Sequence, residues 1–103
     1  MASGILGRAD LTAATNTTLY TVPATKVAAI GINFCNRNAT AVTIRLAIAT
    51  SGTPNNADYI IYDVTLQGNN SLERTGIVVE AAENVVVYAS ATGVSAMAYG
   101  YEE

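Results

Sequence analysis

The chain of 103 residues contains no histidine, no tryptophan, one cysteine and two prolines. Without histidine, neither a Ser–His–Asp triad nor a Cys–His catalytic arrangement can form. The common zinc and copper sites, which use several histidine or cysteine ligands, are excluded for the same reason. A single cysteine also excludes an intramolecular disulfide. Cys35 lies in the apolar run Ile30–Cys35, so we predict that it is a small core residue.

Charged residues are also scarce, at 13% of the chain against roughly 25% in typical soluble domains. The five basic residues are scattered and the net charge is −3, whereas nucleic-acid binding needs clustered positive charge. No apolar run approaches the roughly 18 residues that span a bilayer, and the N-terminus does not resemble a signal peptide. We therefore expect no nucleic-acid partner, no membrane partner and assembly in a cytoplasm.

Carboxylates are the remaining candidates for catalysis or metal binding. Asp58 and Asp63 are five residues apart, and Glu80 and Glu83 flank a predicted turn. A glycosidase needs two carboxylates across a sugar-binding cleft, and such clefts usually offer tryptophan or other stacking aromatics. Calcium binding at Asp58, Asp63 or Glu80 is conceivable, but no EF-hand spacing supports it. We predict a protein that is not an enzyme and that uses no cofactor and no metal.

Alternation of apolar and polar residues with a period of two dominates the sequence, which is typical of β-strands. Val42, Ile44, Leu46 and Ile48 point one way in this pattern, and the residues between them point the other way. The loop Asn36–Thr40, which precedes this strand, is predicted to close a hairpin. Strands are predicted over Thr18–Val22, Ile30–Phe34, Val42–Ala49, Tyr59–Leu66, Leu72–Val79, Val85–Ala89 and Val94–Tyr101.

The length and the turn spacing together predict one domain. Seven or eight short strands without a helical segment indicate an all-β fold, a single antiparallel β-sandwich with either immunoglobulin-like or jelly-roll topology. Val85–Ala89 is apolar on both faces, so it is predicted to be a central strand. Residues 1–11 are expected to form an N-terminal arm or an edge strand, and residues 12–103 the β-sandwich domain.

Several features favour contact with other proteins. The weakly charged surface is easier to desolvate than one covered with Lys and Glu. Tyr99 and Tyr101 share one face of the last strand, where they could form an interface or a carbohydrate-stacking surface, or cover the core. Arg45, Asp63, Glu73 and Arg74 lie in or beside strands, and they are interpreted either as exposed cross-strand ion pairs or as pairs that cross a subunit boundary. The candidate interface residues are Ile5, Leu6, Arg8, Asp10, Arg45, Asp63, Arg74, Tyr99 and Tyr101.

Several segments resemble small virion structural proteins of tailed bacteriophages, including cyanophages. They are Ala14–Ala24 (ATNTTLYTVPA), Phe34–Arg37 (FCNR) with Val42–Ile48 (VTIRLAI), Val87–Ser90 and Tyr99–Glu103. The resemblance implies a β-sandwich subunit of a phage particle, located on the head or in a tail or tail fibre.

The sequence and the resemblance together lead to two functional hypotheses. The first is a capsid decoration (cement) protein, a homotrimer that bridges subunits of the major capsid protein and stabilises the head. In this hypothesis, the segment Gly4–Leu11 would add a strand to the sheet edge of a neighbouring protein, and binding to the assembled shell would stabilise it. The alternative is a tail or tail-fibre module that binds a host receptor or glycan through Tyr99, Tyr101 and the loop Gly52–Asp58. Both hypotheses place the protein in the virion, assembled in the host cytoplasm.

Overall fold

A computed structural model of the chain describes residues 3–103, and this part consists of eight β-strands and one short 3-10 helix, Asn56–Asp58. Every predicted strand is present, with half of the bounds unchanged and the others shifted by one or two residues. The all-β prediction is therefore confirmed. The strands are β1 Ser3–Asp10, β2 Thr17–Thr21, β3 Ala28–Asn36, β4 Val42–Ala49, β5 Tyr59–Leu66, β6 Ser71–Val79, β7 Asn84–Ala89 and β8 Val94–Glu102.

The strands form two four-stranded antiparallel sheets that pack as a sandwich. Sheet I has the order β1-β8-β3-β6, and sheet II has the order β2-β7-β4-β5. Along the chain, successive strands alternate between the sheets except at β4 and β5, which are neighbours in sheet II. This is the jelly-roll arrangement, which decides between the two topologies that the sequence left open.

The hairpin predicted at Asn36–Thr40 is wrong. The loop leads from β3 in sheet I to β4 in sheet II, so it crosses between the sheets. The hairpin of the fold joins β4 to β5 through residues 50–58. A short polar loop has the same composition whether the chain turns back within one sheet or crosses roughly 10 Å to the facing sheet, so the local sequence could not separate the two cases.

The core lies between the inner faces of the two sheets. Ile30, Ile32 and Phe34 of β3 are buried as their alternation predicted, and Ile44 and Leu46 of β4 face them from sheet II. The central position predicted for Val85–Ala89 is also confirmed, because β7 lies between β2 and β4. The largest fully buried apolar side chains are Phe34, Ile32, Ile44, Leu46, Ile61, Val22, Val79, Val85, Val87 and Val94.

Each of the four edge strands carries an irregularity in its pairing. The register shifts between Ile5 and Gly7 in β1, between Thr18 and Tyr20 in β2, near Asp63 in β5 and near Gly76 in β6. The central pairings β3–β8 and β4–β7 run without a shift. Bulges twist an edge away from a regular ladder and hinder the addition of a further strand. The sheet faces are therefore better suited to intermolecular contact than the edges.

The N-terminal segment from Ser3 to Asp10 is an edge strand that pairs along β8. Its free side runs close to β2, since a Cβ atom on Gly7 would lie 2.1 Å from the carbonyl oxygen of Leu19. Residues 1 and 2 of the expected arm lie outside the described residues. The described part of the segment belongs to the sandwich, so strand addition to a neighbour would require it to leave β8.

Asn36 is a buried polar residue at the end of β3 that ties the two sheets together. Its side-chain Nδ2 donates to the carbonyl oxygens of Thr40 at 2.9 Å, Leu66 at 3.1 Å and Gln67 at 3.2 Å. Its Oδ1 accepts from the backbone N–H of Asn38 at 3.0 Å. These bonds satisfy backbone groups of the β3–β4 and β5–β6 crossovers, which leave the regular ladders at this end of the sandwich.

We expect Asn36→Ala to lower the free energy of unfolding by about 1–3 kcal/mol, because it leaves several shielded backbone groups without partners. Urea unfolding followed by circular dichroism measures the change. Asn33→Ala is the matched control, because Asn33 lies outward on the same strand and should change stability by less than about 0.5 kcal/mol. Equal losses in both variants would contradict this role of Asn36.

A second connection between the sheets joins β2 to β8. The Tyr20 hydroxyl donates a hydrogen bond to Oε2 of Glu102. Partial burial and this bond to a carboxylate raise the pKa of the Tyr20 phenol to about 12. The folded state therefore holds the Tyr20 proton more tightly than the unfolded chain, in which the pKa is near 10.

This pKa shift predicts a stability contribution that is complete below pH 10 and is lost as the pH rises from about 10 to about 12. Absorbance at the phenolate band follows the ionisation without interference, because the chain has no tryptophan. The Tyr20 phenol should ionise near pH 12, and Tyr20→Phe should reduce the late ionisation by one of the six tyrosines. A late ionisation of unchanged amplitude in the variant would assign it to other residues.

Candidate functional site

The outer face of sheet I brings together more than half of the predicted interface residues. The strand register aligns Ile5 of β1 with Tyr99 of β8, and Arg8 with Met97. Because residues opposite each other on paired strands point to the same face, one surface receives five of the nine candidates. These are Ile5, Arg8, Asp10, Tyr99 and Tyr101.

One end of this face is apolar and exposed. Ile5 is 52% exposed, Tyr101 47% and Val78 of β6 71%. Tyr101 and Val78 both lie opposite Ala29 of β3, one on each side, so they form a row across the sheet. A shallow apolar recess of about 270 Å³ lies beside that row, with a lining of Ala29, Ile30, Gly31, Thr75, Gly76, Tyr99, Gly100 and Tyr101.

The Tyr99 ring forms a wall of this recess and does not cover the core. It crosses β3 at Gly31, where a Cβ atom would lie 2.7 Å from the Tyr99 Cζ. Its hydroxyl donates to Oε2 of Glu73 on β6, and this bond raises the pKa of the Tyr99 phenol. Glu73 thus holds an outward tyrosine flat against the sheet, instead of forming the ion pair that was one interpretation of the sequence.

The other end of the same face is a polar groove of about 470 Å³. Arg37 pairs with Asp10 there, and Arg8 lies alongside. Cys35 also lines the groove, so its prediction as a core residue is wrong. Only alternate residues of β3 point inward, and Cys35 occupies an outward position opposite Ser95.

Two predicted interface residues of sheet I do not lie on its outer face. Leu6 is at the β1 irregularity and packs against the core. Arg74 lies opposite Ile32, which is fully buried, so it occupies an inner-face position on the edge strand β6. An inward charge at a sheet edge hinders pairing with another strand. Arg74 therefore protects the edge rather than extending the apolar surface.

Arg45 and Asp63 form a cross-strand ion pair on the outer face of sheet II. Arg45 donates from Nε to Asp63 Oδ1 at 2.6 Å and from a terminal nitrogen to Oδ2 at 3.2 Å. The Arg45 guanidinium carbon also lies 4.4 Å from the ring centre of Tyr62 and 4.3 Å from that of Tyr88. The pair is a cross-strand pair within the chain, which is the simpler of the two interpretations. Its hydrogen bonds raise the pKa of Arg45.

The outer face of sheet II differs from that of sheet I because the β4–β5 loop covers part of it. Ala47 is 0% exposed and Val86 2% exposed, although both lie at outward positions. Gly52 of the loop reaches Thr18 on the far edge strand β2, where a Cβ atom would be 3.4 Å from its Oγ1. The loop therefore crosses β7.

This arrangement also separates two parts of the glycan surface predicted from sequence. Tyr99 and Tyr101 lie on sheet I, whereas the loop Gly52–Asp58 lies against sheet II. They face opposite sides of the sandwich, so they do not form one binding surface. The sequence showed where each segment was but not which sheet each strand joined.

Three residues of these surfaces, Val78, Tyr59 and Tyr62, are not among the candidate interface residues. Val78 is outward on β6, but the unbroken apolar run from Ile77 to Val79 concealed its alternation. Tyr59 and Tyr62 stack edge to face with ring centres 4.8 Å apart and line a recess of about 470 Å³ with Asn56. The density of tyrosine in Tyr59–Tyr62 was the available signal.

Neither a metal centre nor a membrane-spanning helix is found in the described part of the chain. Residues 3–103 contain no group of three or more Cys, Asp or Glu side chains placed to hold a metal ion. Within the same range, no helix combines the length and the hydropathy needed to cross a bilayer. The chain matches no protein-family model, no curated protein sequence and no solved structure.

The contact between Gly31 and Tyr99 yields a prediction about the sheet I outer face. In Gly31→Ala, the added methyl group should lift the Tyr99 ring, break its bond to Glu73 and lower the pKa of Tyr99 toward its ordinary value. An NMR pH titration of the ring resonances measures this. Gly52→Ala is the control, because its methyl group would meet only an ordinary contact. An unchanged Tyr99 titration in Gly31→Ala would refute the packing described.

Proposed function

We propose that the chain is a virion structural protein of a tailed phage and acts as a capsid decoration, or cement, subunit. The observation that carries the proposal is the sheet I outer face, whose apolar end is exposed within the described chain. The resemblance of Ala14–Ala24 and Val42–Ile48 to phage virion proteins supports the same function. A flat apolar surface with a polar margin is typical of sites that bind another protein.

The two ends of this face define what a partner must offer. An apolar side chain of the capsid protein would enter the recess beside Gly31 and Tyr99. An acidic or hydrogen-bonding group would meet Arg8 and Asn33 in the polar groove. Because Arg37 is already paired with Asp10, Arg8 is the more available cation.

The contact of one copy is small, so we propose that stabilisation comes from many copies. Ile5, Tyr101 and Val78 would each contribute on the order of 1 kcal/mol, since each is already partly covered in the free subunit. Binding to the assembled shell and not to its separated subunits stabilises the shell by mass action. A homotrimer at a local three-fold position would add multivalency.

Single substitutions on the two sheet faces test the proposal. Particles of the phage that encodes the chain, prepared without this protein, are mixed with purified variants and sedimented. We expect Val78→Asp to weaken binding about tenfold or more, because it places a charge in the apolar row. Thr65→Asp, on the outer face of sheet II, should bind like the unchanged protein.

If both variants bound the particles equally weakly, the sheet I face would be excluded as the specific capsid contact. If the unchanged protein did not bind the particles, the decoration function would be excluded. Imaging of intact particles separates head from tail: hundreds of copies on the head agree with decoration, whereas a few at the tail support the receptor-binding alternative. Substitutions are preferable to deleting residues 2–10, because that deletion would remove all of β1 and leave one side of β8 unpaired.

A further inference from the structure

We propose that the recess lined by Asn56, Tyr59 and Tyr62 on sheet II is a binding site for a neutral pyranose sugar. Its volume of about 470 Å³ is within the roughly 300–1,000 Å³ of small-ligand sites. Tyr62 is 57% exposed, and its ring makes an angle of 79° with that of Tyr59. The two rings thus offer two walls of different orientation, and Asn56 adds an amide.

The recess is held in shape before any ligand binds. The Arg45 guanidinium lies between the rings of Tyr62 and Tyr88, and its two bonds to Asp63 fix it in place. On the loop side, the backbone N–H of Asn55 donates to Asp58 Oδ2 at 2.7 Å. An exposed tyrosine ordinarily loses side-chain entropy when it binds a ligand, and prior fixation reduces that cost.

The chemistry of the walls favours a sugar. A pyranose has an apolar face of C–H groups that can pack on a phenol ring, and hydroxyls at its rim that can bond to Tyr hydroxyls and an amide. The lining side chains Asn56, Tyr59 and Tyr62 carry no formal charge, and the nearby Arg45 is paired with Asp63. The uncharged lining of the recess therefore suits a neutral sugar.

Other ligand classes fit the recess less well. A quaternary ammonium group would meet the Arg45 cation, which already lies on the Tyr62 ring. Single-stranded nucleic acid needs positive charge along its path, which a chain of net charge −3 does not provide here. A proline-rich peptide requires a longer aromatic groove than these three residues form.

The site is independent of the proposed capsid contact, because it lies on the opposite sheet from Tyr101 and Val78. A decoration subunit attached through sheet I would present the recess away from the capsid. The two functions can therefore be separated by substitutions. Failure of sugar binding would leave capsid attachment untouched, and the reverse also holds.

The test uses the full chain and a panel of neutral sugars: glucose, galactose, mannose, N-acetylglucosamine and their disaccharides. Titration up to millimolar concentration is followed by amide NMR shifts and tyrosine fluorescence. At least one sugar should shift the amide resonances of Asn56, Tyr59 and Tyr62. Tyr62→Ala should weaken its binding about tenfold or more, whereas the matched control Tyr101→Ala, another exposed tyrosine, should leave it within about twofold.

Asp63→Asn tests the positioning role of the ion pair. Asparagine tolerates the left-handed backbone of this position, where φ is 51°, so the fold should persist. We expect Asp63→Asn to bind the sugar with an affinity between that of the unchanged protein and that of Tyr62→Ala. The NMR resonances of the Tyr62 ring should be broadened. The proposal is overturned by no binding to any sugar of the panel, by equal binding of Tyr62→Ala, or by a proline-rich peptide or phosphocholine binding at Tyr62 instead.

Discussion

The two sheets can hide their apolar faces only against each other, and this mutual burial is the constraint on which the rest of the molecule depends. Phe34 and Ile32 of sheet I meet Ile44 and Leu46 of sheet II, all fully buried. A single four-stranded sheet would leave such a face in water, at a cost of roughly 1.5–3 kcal/mol for each large side chain. Strict alternation in the central strands β3 and β4 follows from this, because one step of register would turn their apolar residues outward.

The edges of the sandwich solve a second problem that this architecture creates. Two open sheets have four edge strands, each with backbone groups that another chain could pair with. All four carry a register shift, and β6 also places Arg74 at an inward position. Asn36 satisfies crossover backbone groups where the regular ladders end. With the edges protected in this way, the outer faces of the sheets are the surfaces left for recognition.

Those two faces differ in chemistry because one loop covers only one of them. Residues 50–58 extend over sheet II, bury Ala47 and Val86, and leave the Tyr59–Tyr62 recess at their margin. Sheet I has no comparable cover within residues 3–103, so Ile5, Tyr101 and Val78 remain in solvent. In the proposed functions, the open sheet I face would contact another protein and the sheet II recess would bind a small ligand.

The fold class and nearly all strand positions could be predicted from the sequence, because both depend on the local period-two pattern. The sequence also placed Tyr99 and Tyr101 on one face of β8 and Val85–Val87 in a central strand. Which strands share a sheet follows only from the packed fold, since a short loop such as Asn36–Thr40 has the same composition whether it turns back or crosses over. That assignment separated Tyr99 from the loop Gly52–Asp58 and brought Ile5, Tyr101 and Val78 onto one face. Surfaces built from distant strands depend on register, and register is set by packing across the whole sandwich rather than by any one segment.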